Sequence, residues 1–338
     1  MKKNSFLVKA LSLKALFAVL FLAGCSNEMV CSTENPCIIK FPHVTAPSTP
    51  KGQAADRFKE LAEERFPGRV IVEVYPSSQL MNDDISLEAL VAGEIQIIAV
   101  SLSKFDRLTQ AFQIFDLPFL FPNLTAVESF QQSEDGEELL NTLTSRGFQG
   151  LGFWHNGMKQ FTAPRPLRVP QDASGLKFRI MESDVLQEQI LTLGGSPQKM
   201  ALGEVYQALQ TGVVDAQENT WSNIYSSKYF EVQDYLMETN HGYIGYLVAV
   251  NPNFWSGLPE EIRVGLEGVM DEVTAWGNQR SEEINTTARE QILASNRSEL
   301  ITFTNEDLAI WQEAMRPVWE QFAEGIGRER IAAVSSVN

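Results

Sequence analysis

Hydrophobic and polar positions repeatedly change period along the chain. VIVEVYP (70–76) and GLKFRI (175–180) alternate as half-buried strands do, and IQIIAVS (95–101) is almost continuously apolar, as a buried parallel strand should be. Residues 50–65 instead have helical spacing, with apolar positions at Ala54, Ala55, Phe58, Leu61 and Ala62. This repeated βα winding predicts an α/β fold whose strand-end loops face a ligand crevice.

One segment near the carboxyl end predicts an unusually long helix. Between Pro259 and Ser298 the residues are mostly helix formers and proline is absent. We expect one very long helix, or two in line, able to brace two lobes.

The N-terminus has the pattern of an export signal. Lys2, Lys3 and Lys9 precede an apolar run at 15–23, which is too short to cross a bilayer about 30 Å thick. The following LAGC (22–25) resembles a bacterial lipobox. We therefore expect residues 1–24 to be a lipoprotein signal peptide, Cys25 to be lipidated with palmitate among its acyl chains, and residues 25–36 to be a tether. The alternative is a plain signal with an incidental cysteine.

Net charge and cysteine content restrict the partners and the compartment that the protein can have. Removing residues 1–24 takes away four lysines and no acid, so the net charge goes from −16 to −20, which disfavours nucleic acid and anionic membrane as partners. In an oxidising compartment Cys31 and Cys37, six positions apart around an Asn-Pro pair, form either a small disulfide loop or two free thiols.

Signatures of catalysis and of cofactors are missing from the sequence. It contains no G-x-S-x-G elbow, Walker A loop, dinucleotide fingerprint or H-E-x-x-H. His43, His155 and His241 are scattered, which predicts neither a metal site nor a catalytic base, although a triad can converge without a local motif. We expect a binding protein without cofactor rather than an enzyme.

Longer stretches carry a family resemblance. The segment from GLKFRIMESDVLQEQ through QENTWSNIYSS to METNHGY, with KFPHVTAPSTPKGQAADRF, VEVYPSSQL, FDLPFLF and WHNGMKQFTAPRPLR upstream, resembles the extracytoplasmic solute-binding subunits of TRAP transporters (tripartite ATP-independent periplasmic transporters). The resemblance covers nearly the whole mature chain. It is greatest for the DctP-like branch, whose members bind four-carbon dicarboxylates such as succinate, malate and fumarate.

The resemblance implies both an architecture and a role. The fold would be of the two-lobed periplasmic-binding-protein type, with a cleft between the lobes, crossing strands and a long bracing helix. Lobe 1 would span roughly 37–155, with parts of the C-terminal region, and lobe 2 roughly 156–250, with the C-terminal helices. The protein would capture a dicarboxylate in the periplasm, anchored to a membrane through Cys25, and deliver it to an ion-gradient-driven permease. Another carboxylate, such as a sugar or keto acid, and a ligand-sensing role remain alternatives.

The resemblance also implies ligand contacts on the second lobe. Arg179 falls where the family's arginine holds the substrate carboxylate, a task suited to a planar guanidinium, whereas Lys177 on the same strand face is expected to be solvated. Lys159 is the candidate second cation, and its alternative is a solvated turn lysine. Asn219, Trp221 and Asn223 lie in the QENTWSN segment, where each residue either contacts the ligand or packs the lobe.

Three further candidates lie at strand ends of the first lobe. His43 ends the first strand, and Ser101 and Lys104 follow the third, where loops meet the crevice. The alternatives for these residues are turn capping and ordinary surface charge.

Overall fold

The computed structural model describes residues 29–337, and in that range the chain forms ten strands and eleven α-helices. The strands are β1 Cys37–Pro42, β2 Val70–Tyr75, β3 Ile97–Ser101, β4 Gln149–Ala163, β5 Lys177–Ile180, β6 Ser196–Lys199, β7 Ala216–Thr220, β8 Tyr235–Met237, β9 Tyr243–Val250 and β10 Glu299–Ile301. The helices are α1 Pro50–Arg65, α2 Asp83–Ala92, α3 Leu124–Gln131, α4 Glu134–Thr142, α5 Asp184–Thr192, α6 Val205–Gln210, α7 Trp221–Ser226, α8 Pro252–Gly257, α9 Glu260–Ala294, α10 Asn305–Ile326 and α11 Arg328–Val337.

Strand β4 connects two sheet regions. Residues 149–158 pair antiparallel with β9, whose other edge pairs with β3. Residues 159–163 pair instead with β7 and β8, within the strand order β10-β8-β4-β7-β5-β6. The first region, with the parallel pair β1–β2, belongs to lobe 1, and the second region is the sheet of lobe 2. The chain therefore has the predicted two-lobed α/β fold with a crossing strand.

Two details differ from the sequence predictions. Strand β3 is buried, but it runs antiparallel to β9, because a continuous apolar run indicates burial on both faces and not strand direction. Strand β9 was expected in the second lobe. It pairs with β3 and the first part of β4, because the chain returns to lobe 1 after β8.

Each lobe has hydrophobic cores on both faces of its sheet. In β9, Leu247 and Val248 point to opposite faces and belong to separate cores of lobe 1. In lobe 2, Phe178 packs with Phe161 and Trp311 on one face, and a second core lies on the other.

The predicted long helix is a single helix, α9, about 50 Å long at 1.5 Å per residue. Its first half packs into a core of lobe 1, and Ala288 and Ile292 near its end pack into a core of lobe 2. Between them, its buried face carries the small or polar residues Gly277, Ser281 and Asn285. The helix thus braces both lobes and changes character where it crosses between them.

Two asparagines of α9 hydrogen-bond the crossing strand. Asn278 accepts from the His155 backbone N–H at 2.8 Å and donates to the Phe153 carbonyl at 3.0 Å. Asn285 donates to the Asn156 carbonyl at 2.5 Å and accepts from the Ser222 backbone N–H of α7 at 3.0 Å. These bonds lie beside the register shift at 155–157, where β4 passes from one lobe to the other.

The first described residues are attached to lobe 1. Cys31 and Cys37 form a disulfide, and the Met29 backbone N–H donates to the Gly257 carbonyl at 2.7 Å. The predicted signal peptide and Cys25 lie outside the described residues. Within the described part of the chain, none of the helices combines the length and apolar character needed to span a membrane.

Replacing Asn285 tests the brace. We expect Asn285→Ala to lower the free energy of unfolding by about 2–4 kcal/mol, because two buried backbone groups lose their partners. Urea denaturation measures this. The control is Thr286→Ala, an exposed neighbour on the same helix, which should change stability by less than about 0.5 kcal/mol. Equal losses in the two variants would contradict the assigned role.

Candidate functional site

A cleft lies between the two lobes and is lined by residues from both. Lobe 1 contributes the turn after β1, the start of α2, the end of β3 and part of β9. Lobe 2 contributes the end of β5, the turn after β6 and the β7–α7 junction. The lining residues are Val44, Thr45, Ser78, Asn82, Asp83, Asp84, Ser101, Lys104, Arg179, Met181, Met200, Ala201, Leu202, Gly203, Asn219, Asn223, Ile244 and Tyr246.

Arg179 is a buried cation in this cleft, with 3% of its surface exposed. Its Nε–H and one Nη2–H donate to the Met200 carbonyl at 3.0 and 2.8 Å, and among the described residues no carboxylate lies within 4.0 Å of the guanidinium. Burial lowers the pKa of Arg179, and nearby Tyr229 and Glu218 oppose that shift. The guanidinium keeps its charge and has N–H groups left for an anion.

A second buried cation, Lys51 of lobe 1, lies behind the cleft lining and was missed in the sequence analysis. Lys51 is fully buried in the first turn of α1, where its Nζ donates to the Ala99 carbonyl at 3.0 Å and lies 3.9 Å from the centre of the Tyr246 ring. Among the described residues it has no carboxylate within 4.0 Å. Burial lowers its pKa to about 8, although Asp83 opposes the shift.

The backbone around Lys51 is closely packed. Thr49 caps α1 by accepting from the Gly52 N–H at 3.2 Å. A Cβ atom on Gly52 would lie 2.3 Å from the Ala46 carbonyl oxygen, so only glycine fits beside the lysine. The sequence did contain a signal: Lys51 precedes Ala54, Ala55 and Phe58 by three, four and seven positions, and so lies on the apolar stripe of the helix.

Three uncharged candidates also line the cleft. The Ser101 hydroxyl and the Asn223 Oδ1 are buried without a hydrogen-bond partner. Asn223 donates to the Asn219 Oδ1 at 2.8 Å, which ties the two amides together. Buried polar atoms without partners are costly, so these groups are suited to a polar ligand.

Acidic residues at the start of α2 lie near the cations. Lys104 lines the cleft as predicted, but its Nζ donates to both oxygens of Asp84, at 2.8 and 2.9 Å. Asp83 also lines the cleft, and burial raises its pKa while Lys51, Lys104 and Arg179 oppose the shift. Sequence reasoning missed both acids.

Lys159 lies behind the cleft wall, not on it. Its fully buried Nζ donates to Glu218 Oε1 at 2.7 Å, and His241 Nε2 lies 2.8 Å from Glu218 Oε2. Burial alone would raise the pKa of Glu218, but Lys159 and His241 outweigh it and lower that pKa to about 2. Because its ammonium is committed to this ion pair, the geometry argues against Lys159 as the second ligand cation.

Two other candidates also lie off the cleft surface. Trp221 packs into a core of lobe 2 with Tyr229 and Ile292. His43 is buried one residue from the lining, with its Nδ1 3.3 Å from the Thr45 hydroxyl. Burial, and next Lys51, lower the pKa of His43 to about 3, so the imidazole is neutral.

The described residues contain no cluster of His, Cys, Asp and Glu able to hold a metal ion. The cleft is instead suited to an anion, with the buried cation Arg179 of lobe 2 in its lining, the buried cation Lys51 of lobe 1 beside the lining residue Tyr246, and several uncharged hydrogen-bonding groups.

Comparison with known proteins identifies the family of this chain. The family model for bacterial extracellular solute-binding proteins, family 7 (DctP), matches residues 41–325. The chain belongs to this family. It is 47% identical over 331 residues to the C4-dicarboxylate-binding periplasmic protein DctP of Shewanella loihica, covering 98% of this chain and 96% of that protein.

Solved structures of family members share the fold. A TRAP periplasmic solute-binding protein from Shewanella oneidensis with bound succinate has a TM-score of 0.89 at 47% identity, covering 90% of this chain and 99% of that one. A TRAP protein from Pseudomonas aeruginosa with bound L-malate has a TM-score of 0.83 at 45% identity, covering 85% and 100%.

The buried ammonium of Lys51 predicts a pH-dependent difference in stability. Between pH 8 and 10.5 the unfolded lysine binds a proton that the folded one has lost, so the wild type should gain stability relative to Lys51→Met as pH rises. The gain should be about 1.4 kcal/mol per pH unit and about 2 kcal/mol by pH 10. Urea denaturation of both proteins at pH 7, 8, 9 and 10 measures it.

The control for this experiment is Lys177→Met, which removes a lysine whose Nζ reaches the Gly212 carbonyl near the surface. Its stability difference from the wild type should stay level over the same range. Parallel curves for the Lys51 and Lys177 variants would contradict the buried-charge interpretation.

Proposed function

We propose that this protein is the extracytoplasmic solute-binding component of a TRAP transporter for a four-carbon dicarboxylate of the succinate, malate or fumarate type. It captures the acid in the periplasm as its lobes close, and delivers it to an ion-gradient-driven permease. Family membership and the bound succinate and malate of similar proteins support this proposal.

The observation that carries the proposal is the buried guanidinium of Arg179 without a carboxylate. Nε and one Nη2 hydrogen are used by the Met200 carbonyl, so the two Nη1 hydrogens and one Nη2 hydrogen remain. That edge can make two parallel hydrogen bonds to a carboxylate, which is a strong and orienting contact. A bound carboxylate would offset the cost of burying the charge.

Lys51 suits the second carboxylate. It belongs to lobe 1 and Arg179 to lobe 2, so an acid with two carboxylates can engage one cation from each lobe. Such a ligand binds the closed arrangement better than the open one and shifts the population toward closure. Ser101, Asn219 and Asn223 can supply hydrogen bonds along the ligand.

The ligand size fits a useful affinity. A four-carbon diacid has about eight or nine heavy atoms, which at about −1 kcal/mol each gives micromolar binding or slightly tighter. On this proposal the acid is bound and released without chemical change.

Removing either buried cation should strongly weaken dicarboxylate binding. In calorimetric titrations of residues 26–338 with succinate, malate and fumarate, we expect Arg179→Ala and Lys51→Met each to weaken binding at least about 100-fold, because each leaves one ligand charge unpaired. Lys177→Ala, a matched change on the same strand, should alter the dissociation constant less than about threefold.

The titration series also separates the alternatives. Heat with a sugar acid or keto acid, and none with any four-carbon diacid, would transfer the function to that ligand class. Equal effects of Arg179→Ala and Lys177→Ala would refute the assignment of Arg179. Mass spectrometry of ligand after prolonged incubation would reveal turnover if the protein were an enzyme. Abolished uptake of the acid in cells lacking the gene would favour a transport role over a sensor role.

We also propose that the protein is anchored through a lipid on Cys25, on the strength of the LAGC sequence alone. Cells expressing the wild type and fed labelled palmitate should yield a labelled, membrane-bound protein. Cys25→Ser should yield an unlabelled protein that is released by osmotic shock. A wild-type protein released without label would identify the segment as a plain signal.

A further inference from the structure

A segment of lobe 1 outside the cleft lining makes direct contact with lobe 2. The chain leaves β3 through a short 3-10 helix, Leu102–Phe105, and then presents Asp106 and Arg107. Asp106 Oδ2 accepts a hydrogen bond from the backbone N–H of Asp184 at 3.0 Å. Arg107 forms an ion pair with Glu182. Glu182 lies in the turn between β5 and α5, and Asp184 is the first residue of α5.

The Asp184 N–H is one of the unpaired donors that every helix has at its N-terminus. Ser183 caps α5 from within lobe 2, accepting from the Leu186 N–H at 3.3 Å. Asp106 provides a second cap from the other lobe. A carboxylate at a helix N-terminus is favoured by the aligned peptide dipoles as well as by the hydrogen bond.

The surroundings of Asp106 act on its charge in both directions, because burial raises its pKa while the backbone N–H groups of Asp184 and Arg107 oppose that shift. Its side chain is buried, with 8% of the residue exposed. The carboxylate of Asp184 would repel it, but Lys199 pairs with Asp184 at 3.0 Å and reduces that repulsion. Asp106 Oδ1 has no hydrogen-bond partner, and the bond from the Asp184 N–H to Oδ2 is the contact of this carboxylate with the other lobe.

The contact is close to the ligand site without being part of it. Arg179 lies in β5, which ends at Ile180, and α5 begins at Asp184. The bonded turn therefore directly follows the strand that carries the guanidinium. Neither Asp106 nor Arg107 lines the cleft.

We propose that Asp106, assisted by Arg107, is a closure latch that sets how long the bound acid is retained. It fixes the β5–α5 turn of lobe 2 against lobe 1 only when the lobes are together, and it contributes nothing to the open protein. The kinetic test of this inference rests on the proposed dicarboxylate binding. The second test depends only on whether the two lobes come together, and not on the ligand.

The kinetic test is stopped-flow measurement of succinate binding to and release from the full mature chain. We expect Asp106→Ala to raise the dissociation rate about tenfold and to leave the association rate within twofold. Asp106→Asn should restore much of the retention, because its amide oxygen can still accept the Asp184 N–H. Arg107→Gln, at an exposed position, should raise the dissociation rate about twofold to threefold.

Asp172→Ala is the matched control. Asp172 also accepts backbone N–H groups, those of Arg168 and Val169 at 2.8 and 3.0 Å, but within lobe 2. It should lower the melting temperature without changing the dissociation rate. Asp106→Ala should lower the melting temperature of the ligand-free protein no more than Asp172→Ala does, although of these two variants it alone changes the dissociation rate, which a purely structural role would not explain.

The second test needs no ligand. Small-angle X-ray scattering should give a larger radius of gyration for ligand-free Asp106→Ala than for the wild type or Asp172→Ala. Equal radii, together with a dissociation rate within twofold of the wild type, would overturn the latch. If the wild type bound no dicarboxylate, the proposed function would fail. The comparison of the radii of gyration of ligand-free Asp106→Ala and wild type would still test the latch, with a larger radius for the variant supporting it and equal radii contradicting it.

Discussion

A buried positive charge without a carboxylate partner is the constraint on which the rest of the structure depends. Burying Arg179 without a carboxylate is unfavourable, and the same is true of Lys51. The fold bears this cost because each cation has a fixed carbonyl acceptor, Met200 for the arginine and Ala99 for the lysine. These acceptors hold the charged groups in place without neutralising them. The positions of the two cationic groups are therefore fixed, while their charges remain without an anionic partner.

Other cations around the cleft are paired with acidic side chains, and this contrast explains how selectivity for a ligand with two negative groups can arise. Lys159 is neutralised by Glu218, and Lys104 by Asp84. Both lysines resemble ligand contacts in the sequence, but each has its own acid. The two cations without acids come from different lobes, so the charge pattern itself favours a ligand with two separated negative groups.

Much of this arrangement can be read from the sequence, and the rest depends on contacts between distant segments. The continuous apolar run of β3, the alternation of β5 and the proline-free run of helix formers in α9 are local patterns, so these elements could be predicted, and the motif around Arg179 indicated that residue as a cleft cation. The partner of Lys159 could not be predicted, because Lys159 and Glu218 are 59 positions apart and meet only through the pairing of β4 with β7. Strand direction was missed for β3 for the same reason. The burial of Lys51 could have been predicted, since a lysine on the apolar stripe of a helix faces the core.

The attachment of the first described residues gives the molecule a mechanical polarity. The disulfide between Cys31 and Cys37 and the bond from Met29 to Gly257 both tie the entering chain to lobe 1. A force applied through that segment would act on lobe 1 directly. It would reach lobe 2 only through β4, α9 and the other connections between the lobes. Lobe 1 would then stay fixed during closure, and lobe 2 would move relative to it. A partner surface that reads closure would then detect it as a displacement of lobe 2 relative to a fixed base.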